Sequence, residues 1–224
     1  MPRRSRVDLA AVAAASPFGV AAVADLLALG IPTSTIARRV KDQRARRLAR
    51  GVVLLGGGTP TDDQRAAGAL AYAGRPSVVS GAEALRRHGL DAAPDDGHVL
   101  ALVPSERQRS SSGYILVERT ARMPDPDVLG GIDVAPLDRA VIDTVRRLDR
   151  RDAVLAVLAQ SVQQRRTTSA RLAAELAAGS QRGTALPREL LADIAEGIRS
   201  VAEGWAQATH RDGGLPPVLW NPDC

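Results

Sequence analysis

The chain has 224 residues, a net charge of +5 and a pI near 10.5, and 45% of its residues are hydrophobic. This length accommodates one large domain or two small ones, and the basic balance favours a polyanionic partner. Only 2% of the residues are aromatic, which argues against a single-strand binder that stacks bases on aromatic rings. The one cysteine, Cys224, excludes an internal disulfide and a cysteine-based metal site.

The stretch 1–16 is rich in arginine and alanine but only superficially resembles a signal peptide, because Asp8 interrupts it and its apolar run is short. No apolar run approaches the roughly 20 residues that a membrane-spanning helix needs. We therefore expect a short amphipathic helix there, no membrane association and a cytoplasmic protein.

Residues 16–29 predict a helix. Ser16 is a suitable N-cap and Pro17 suits a first turn. Apolar residues then recur at i, i+3, i+4 and i+7, at Val20, Val23, Ala24 and Leu27. Gly30 is placed for a left-handed C-cap, and Pro32 prevents the helix from continuing.

A second, basic helix follows the turn, with Thr33 or Ser34 as its predicted N-cap. Ile36 and Val40 share one face of this helix, one turn apart, and the rest of its surface is polar. A strand-like segment over 48–55 comes next and ends at the glycines 56–58. Three arginines bracket this segment: Arg46, Arg47 and Arg50.

This layout predicts a winged helix-turn-helix over residues 1–57, with 34–44 exposed on one side to enter a DNA groove. The segment 38–50 contains seven basic residues and one acidic residue. The alternative is an ordinary solvated face, since the chain takes all its other positive charge from arginine and has a single lysine, Lys41. We expect double-stranded DNA as the partner and the following contact residues: Thr33, Ser34, Thr35, Arg38, Arg39, Lys41, Arg44, Arg46, Arg47 and Arg50.

Beyond a Gly-rich linker, residues 59–150 predict a small α+β domain. Thr61 should cap a helix to about Ala73, with Gln64 completing a capping box. Further helices are predicted over 81–88 and after Pro136, and short strands over 77–79, 99–103, 114–118 and 132–135. We expect 99–103 and 114–118 to be adjacent and antiparallel, because the loop between them is too short and Ser-rich for a crossover helix.

Residues 151–224 predict a helical C-terminal region, with helices over 151–161, 169–178 and 187–209. The last helix carries an apolar stripe too rich to be left in water: Leu190, Leu191, Ile194, Ile198, Val201 and Trp205. The stripe must therefore pack on the protein's own core, on a second copy or on a partner. We hypothesise a homodimer able to read a two-fold DNA site, and packing on its own core is the main alternative. The fold class is therefore α+β, with an N-terminal winged helix-turn-helix, a small α+β domain and helices at the end.

The sequence offers no support for catalysis. Because Lys41 lies in the basic helix, no lysine is available for a phosphate-binding loop or a Schiff base. His88, His98 and His210 are too far apart in the sequence to match a metal-ligand spacing. Asp138 and Asp143 are five apart and do not share a helix face well. We expect no catalytic residue, no metal and no cofactor.

Two later segments carry a resemblance to a known family. One reads Val-Val-Ser-Gly-Ala-Glu-Ala-Leu-Arg-Arg-His-Gly-Leu over 78–90, and the other reads Gly-Ile-Asp-Val-Ala-Pro-Leu-Asp-Arg-Ala-Val-Ile-Asp-Thr over 131–144. With the preceding helices and strand they resemble actinobacterial AbiEi-like antitoxins of type IV toxin–antitoxin systems, over about the first 165 residues. The resemblance implies a transcriptional regulator that represses its own promoter and a nucleotidyltransferase-like toxin as partner.

Many proteins of this family continue into an endonuclease domain similar to very-short-patch repair enzymes. Residues 200–203 and 214–222 look like the entry to that domain, with Glu203 at its first acidic position. The acidic and basic motifs that should follow are absent, so the resemblance implies no working nuclease. The alternatives are therefore a protein-interaction antitoxin with vestigial DNA binding, or an inactive fragment of a nuclease fusion.

Overall fold

The computed structural model describes residues 9–197, which form an α+β fold with two sheets. The N-terminal elements are α1 (Leu9–Ala15), a 3-10 turn (Pro17–Gly19), β1 (Val20–Ala22), α2 (Val23–Ala28), α3 (Thr33–Lys41), β2 (Arg46–Ala49) and β3 (Val52–Leu54). The three strands form an antiparallel sheet in the order β1-β3-β2.

The prediction of one long first helix is wrong. Phe18 and Gly19 have φ angles of +54° and +70°, so the chain turns there and Val20 enters strand β1. Ser16 does not cap a helix; its hydroxyl donates to the carbonyl of Val12 at 2.8 Å. The helical spacing of the apolar residues was misleading, because the segment is a three-residue strand followed directly by a six-residue helix. Residues 20–22 form a strand because they pair with β3.

The tight turn before α3 is confirmed, although its capping is not. Gly30 has a φ of +81°, and the N–H of Ile31 donates to the carbonyl of Leu26 at 2.9 Å. The N-cap is Pro32, in extended conformation, and no side chain caps α3. Thr33 is instead the first residue of the helix, so the predicted capping role of Thr33 or Ser34 is wrong.

The central strand β3 takes part in two cores. Val53 packs with Ala21 against the helices α2 and α3, in a small core that also contains Leu26, Ile31 and Ile36. Val52 and Leu54 belong with Val20 to the main core, where β1 and β3 pack on helix α4 (Asp62–Ala73). Because neighbouring side chains of a strand point to opposite faces, the sheet separates α3 from α4 while joining both.

Helix α4 begins as predicted. Thr61 is its N-cap, and its hydroxyl accepts from the N–H of Gln64, whose side chain accepts in turn from the N–H of Thr61. The remaining elements are β4 (Val78–Ser80), α5 (Gly81–Arg87), β5 (Val99–Pro104), β6 (Ile115–Thr120), β7 (Asp127–Leu129), β8 (Ile132–Val134), α6 (Leu137–Val145), α7 (Arg151–Gln163), α8 (Ser169–Ala178) and a helix over 185–197.

The second sheet has five strands in the order β6-β5-β4-β8-β7. Strands β5 and β6 are adjacent but parallel, so the predicted antiparallel pairing is wrong. The ten-residue loop between them runs back along α4 without forming a helix. Two contacts hold it there: the hydroxyl of Tyr72 donates to the carbonyl of Ser110 at 2.9 Å, and the guanidinium of Arg107 donates to that of Ala73 at 3.2 Å. Strand β7, which pairs with β8, was not predicted.

The C-terminal helices complete the main core. Leu172 and Leu176 of α8 are buried in it, and so are Leu190 and Leu191 of the helix over 185–197. This half of the predicted apolar stripe is therefore core, and Ile194 packs against it. The other half of the stripe and the segments 200–203 and 214–222 lie outside the described residues. Among residues 9–197, no helix is long and apolar enough to cross a bilayer.

Candidate nucleic-acid interface

Helix α3 is anchored by one face only. Ile36 is 4% exposed and contributes to the small core with α2 and β3, and Val40, one turn later, is half-buried. The opposite face carries Ser34, Arg38 and Lys41 at i, i+4 and i+7, and all three side chains are exposed. Helix α3 therefore presents a polar, basic face to solvent.

The remaining predicted contact residues of α3 differ in how far they are exposed. Thr33 is exposed in the first turn, whereas Thr35 and Arg39 are half-buried at the border of the apolar face. Arg44 is exposed in the turn after the helix. The N–H groups of Arg44 and Ala45 donate to the carbonyl of Arg39, at 2.8 and 3.1 Å. These bonds close the end of α3 and lead the chain directly into strand β2.

A basic hairpin follows α3. Strands β2 and β3 are joined at Arg50 and Gly51, where Gly51 has a φ of +79°. Every residue of β3 is buried, while Arg46, Arg47 and Arg50 of the β2 side are exposed at the sheet edge. The sequence predicted a single strand-like segment here, and the structure has two strands because the left-handed Gly51 reverses the chain.

The register of the hairpin assigns its arginines to different faces. Arg47 lies opposite Val53, and Arg46 lies opposite Leu54. Directly opposed residues in antiparallel strands point to the same face. Arg47 is therefore on the face that packs α3. Arg46 is on the α4 face, and its guanidinium donates to the carbonyl of Gly58 at 3.1 Å.

None of the seven basic side chains of 38–50 forms an ion pair with any described residue. By contrast, half of the eighteen arginines between 59 and 197 pair with a carboxylate: Arg86, Arg87, Arg122, Arg139, Arg146, Arg147, Arg150, Arg151 and Arg171. Residues 9–58 contain seven basic and two acidic side chains, and residues 59–197 contain eighteen and nineteen. The excess positive charge of the described chain thus lies entirely on the N-terminal elements. An anion approaching this surface meets cations that no carboxylate of the described residues pairs with.

A buried polar cluster lies away from this surface, and sequence reasoning missed it. The carboxylate of Asp143 accepts from the guanidinium of Arg139 at 2.8 Å and from the hydroxyl of Ser80 at 2.7 Å. Its other oxygen is buried without a hydrogen bond, 3.8 Å from the guanidinium of Arg146. Burial raises the pKa of the Asp143 carboxyl above its ordinary value, and Arg139 opposes this shift. The available signal was an Arg and an Asp at i, i+4 on a largely apolar helix.

This cluster joins the two sequence segments that carry the family resemblance. Ser80 follows strand β4 in the first segment, and Arg139 and Asp143 belong to α6 in the second. A second link comes from His88, whose Nε2 lies 2.9 Å from the carbonyl oxygen of Ala135. Since Asp143 and His88 are buried and the contacts are internal, the two segments serve to hold α5, β4 and α6 together.

The described residues form no further cluster of acidic or histidine side chains suited to metal binding or catalysis. A cavity of about 610 Å³ lies between α1, α2, α4 and β8, and its charged lining residues are Asp25, Arg75 and Asp133. Over residues 9–197 no three His, Cys, Asp or Glu side chains are grouped so that they could hold a metal ion.

A comparison with models of known protein families matches none of them to this chain. A comparison with curated proteins likewise finds no match.

Proposed function

We propose that the chain is a DNA-binding transcriptional regulator whose N-terminal elements act as a winged helix-turn-helix. The observation that carries the proposal is the basic surface of α3 and the β2–β3 hairpin. Its seven cations form no ion pair within residues 9–197, while half of the later arginines there are paired. The element order also supports it. A helix, a strand, two helices and a hairpin, with β3 between β1 and β2, is the arrangement typical of winged helices.

In this proposal the residues fall into two groups, those that contact base edges and those that contact the phosphate backbone. Arg38 and Lys41 contact base edges, since they lie on the outer side of α3, and the half-buried Thr35 joins them from the border of the apolar face. Thr33 and Ser34 lie in the first turn, where hydroxyls and backbone N–H groups can meet a phosphate. The other basic residues grip the DNA backbone: Arg39, Arg44, Arg46, Arg47 and Arg50.

The biological role that we propose is that of a type IV antitoxin that represses its own promoter and opposes a nucleotidyltransferase-like toxin. It is supported by the resemblance of 78–90 and 131–144 to that family, and by the hydrogen bonds that connect these segments. The second unit, from α4 onward, would then carry the contacts to the toxin.

Fluorescence anisotropy tests the DNA-binding proposal. A labelled duplex from the region upstream of the gene and an unrelated duplex of equal length are titrated with the protein over a series of salt concentrations. We expect tighter binding to the upstream duplex and an affinity that falls steeply with salt, since cations of the surface displace counterions from phosphates.

A triple variant, Arg38→Ala, Lys41→Ala and Arg47→Ala, should lose binding to both duplexes. A matched control removes three paired cations instead: Arg147→Ala, Arg150→Ala and Arg151→Ala. If parent, triple variant and control bind equally, the surface is a solvated face and the proposal is wrong. Rescue of growth when the chain is co-expressed with a neighbouring toxin, in the triple variant as in the parent, would instead favour an antitoxin without DNA binding.

A further inference from the structure

A second group of arginines, which form no ion pair within residues 9–197, lies on α4 and on the loop over 105–114. Arg65 of α4 places its guanidinium 4.8 Å from the ring centre of Tyr114, and Arg109 of the loop places its own 4.9 Å from that of Tyr72. Neither guanidinium forms an ion pair with a described residue, although that of Arg65 donates to the carbonyl of Gly97 and helps to lower the pKa of Asp95. Each is held over an aromatic face, which attracts a cation and limits its motion.

The two tyrosines fix the loop to the helix. The hydroxyl of Tyr114 donates to the carbonyl of Arg65 at 3.0 Å, and that of Tyr72 donates to the carbonyl of Ser110 at 2.9 Å. Burial raises the pKa of Tyr114 to about 12, so its hydroxyl keeps the proton that it donates. Arg107 adds bonds from its guanidinium to the carbonyls of Ala73 and Arg75. The loop thus has a defined course along α4.

This loop adjoins the basic hairpin. Gly68, between Arg65 and Tyr72 on α4, is the point of contact. A Cβ at Gly68 would lie 2.9 Å from Cδ1 of Leu48 in β2 and 2.5 Å from the hydroxyl oxygen of Tyr114. The edge strand of the hairpin and the end of the loop therefore meet across one glycine, and Arg65 lies one helical turn from that point.

We propose that Arg65 and Arg109 form an additional contact with the phosphate backbone of duplex DNA, beyond the stretch covered by α3 and the hairpin. This inference rests on the proposed function. The chemistry fits because a pre-positioned guanidinium loses little side-chain entropy when it binds a phosphate. The exposed hydroxyl of Ser110 lies next to Arg109 in the loop and supplies a neutral donor to the same backbone. Arg65 and Tyr72, over which Arg109 lies, are seven positions apart on α4, roughly 10 Å along the helix, so we expect the two arginines to reach different phosphates.

The test compares two duplexes with the same central sequence. The short duplex is trimmed to the smallest length that the parent protein still binds. The long duplex adds about one helical turn, roughly 10 base pairs, on each side. Variants Arg65→Gln and Arg109→Gln are measured by anisotropy on both duplexes over a salt series. Arg150→Gln is the matched control, because it also removes one arginine cation but takes it from a pair with Asp152 on α7.

We expect each variant to bind the long duplex about three- to tenfold more weakly than the parent and to lower its salt slope by about one. Binding to the short duplex and the melting temperature should match the parent, and Arg150→Gln should match it on both duplexes. Parent-like binding of both variants to the long duplex overturns the inference, and so does equal weakening on the two duplexes. If the parent binds neither duplex, the proposed function itself has failed, which is a different result from either of these.

Discussion

Leu48 and Gly68 meet where the edge strand of the N-terminal sheet crosses helix α4, and there is no room for a side chain between them. The contact joins an exposed basic hairpin to the main core, and it occurs on a helix where glycine otherwise has a cost of about 1 kcal/mol relative to alanine. The glycine is explained by this close approach, since its backbone is ordinary helix.

Substitution Gly68→Ala should lower the stability of the protein. Overpacking of a tight contact typically costs about 1–3 kcal/mol, more than the gain in helix propensity. Because the methyl group would displace Leu48 and Tyr114, we expect a lower melting temperature in differential scanning calorimetry. Gly56→Ala is the control, since nothing lies within 4 Å of a Cβ there. A stabilised Gly68→Ala variant would show that the hairpin moves aside freely.

Arg38 and Arg47 should have separable effects on DNA binding. Replacing Arg38 with alanine should cost about 1–3 kcal/mol on the specific duplex and reduce discrimination between sequences, because its side chain lies on the outer face of α3. Replacing Arg47 should weaken binding to all duplexes alike and lower the salt slope by about one. Anisotropy on specific and scrambled duplexes measures both. Identical behaviour of the two variants would contradict the assignment of base and backbone contacts.

The pair of Arg139 and Asp143 should show strong coupling in a double-mutant cycle. Arg139→Met removes the cation that is hydrogen-bonded to a buried carboxylate, leaving only Arg146 at 3.8 Å, and should lose about 3–5 kcal/mol in urea unfolding. Asp143→Asn should cost less, because the guanidinium of Arg139 retains Glu175 at 3.9 Å and the amide can still accept from Ser80.

The double variant should be much milder than the sum of the two single variants, since it leaves no buried charge unpaired at this position. Additive losses would mean that the two groups do not act on each other. DNA binding measured on the same variants at low temperature should be unchanged, because the pair lies apart from α3 and the hairpin.

A fragment that ends after Gly57 should not fold cooperatively. It would expose Val20, Val52 and Leu54, which are at most 5% exposed in the intact chain. The small core that would remain, Ala21, Leu26, Ile31, Ile36 and Val53, is too small to stabilise a fold of this length. Circular dichroism during thermal unfolding measures this directly. A sharp transition in the fragment would show that the N-terminal elements are independent of α4.

Local signals in the sequence identified the elements whose structure is decided locally. The capping box of Thr61 and Gln64 and the left-handed Gly30 follow from hydrogen bonds and backbone sterics within a few residues. Strand β1 could not be found in this way, because Val20 and Val23 fit a helical period and only pairing with β3 distinguishes the alternatives. The parallel pairing of β5 and β6 depends on Tyr72 and Arg107 holding the connecting loop, and these contacts are distant in sequence.

The exposure of the basic residues was easier to predict than the fold around them. A cluster of basic residues is expected to be exposed whichever secondary structure it adopts. The exposure of Arg38, Lys41 and Arg47 was therefore predictable even though the first helix was misplaced. Which face Arg46 and Arg47 occupy could not be foreseen, because it depends on the register with β3. The buried cluster around Asp143 was missed for the opposite reason, since a charged residue on a helix is ordinarily solvated.

Alternate side chains of strand β3 pack in two different cores. This arrangement limits how a second molecule could regulate the protein. Helix α3 has no hinge toward the second unit, because a pivot between them would have to pull Val52 and Leu54 out of the main core. A protein or ligand bound to the second unit would therefore act on the proposed DNA binding by blocking access or by bringing two copies together. It would not reorient α3 within one chain.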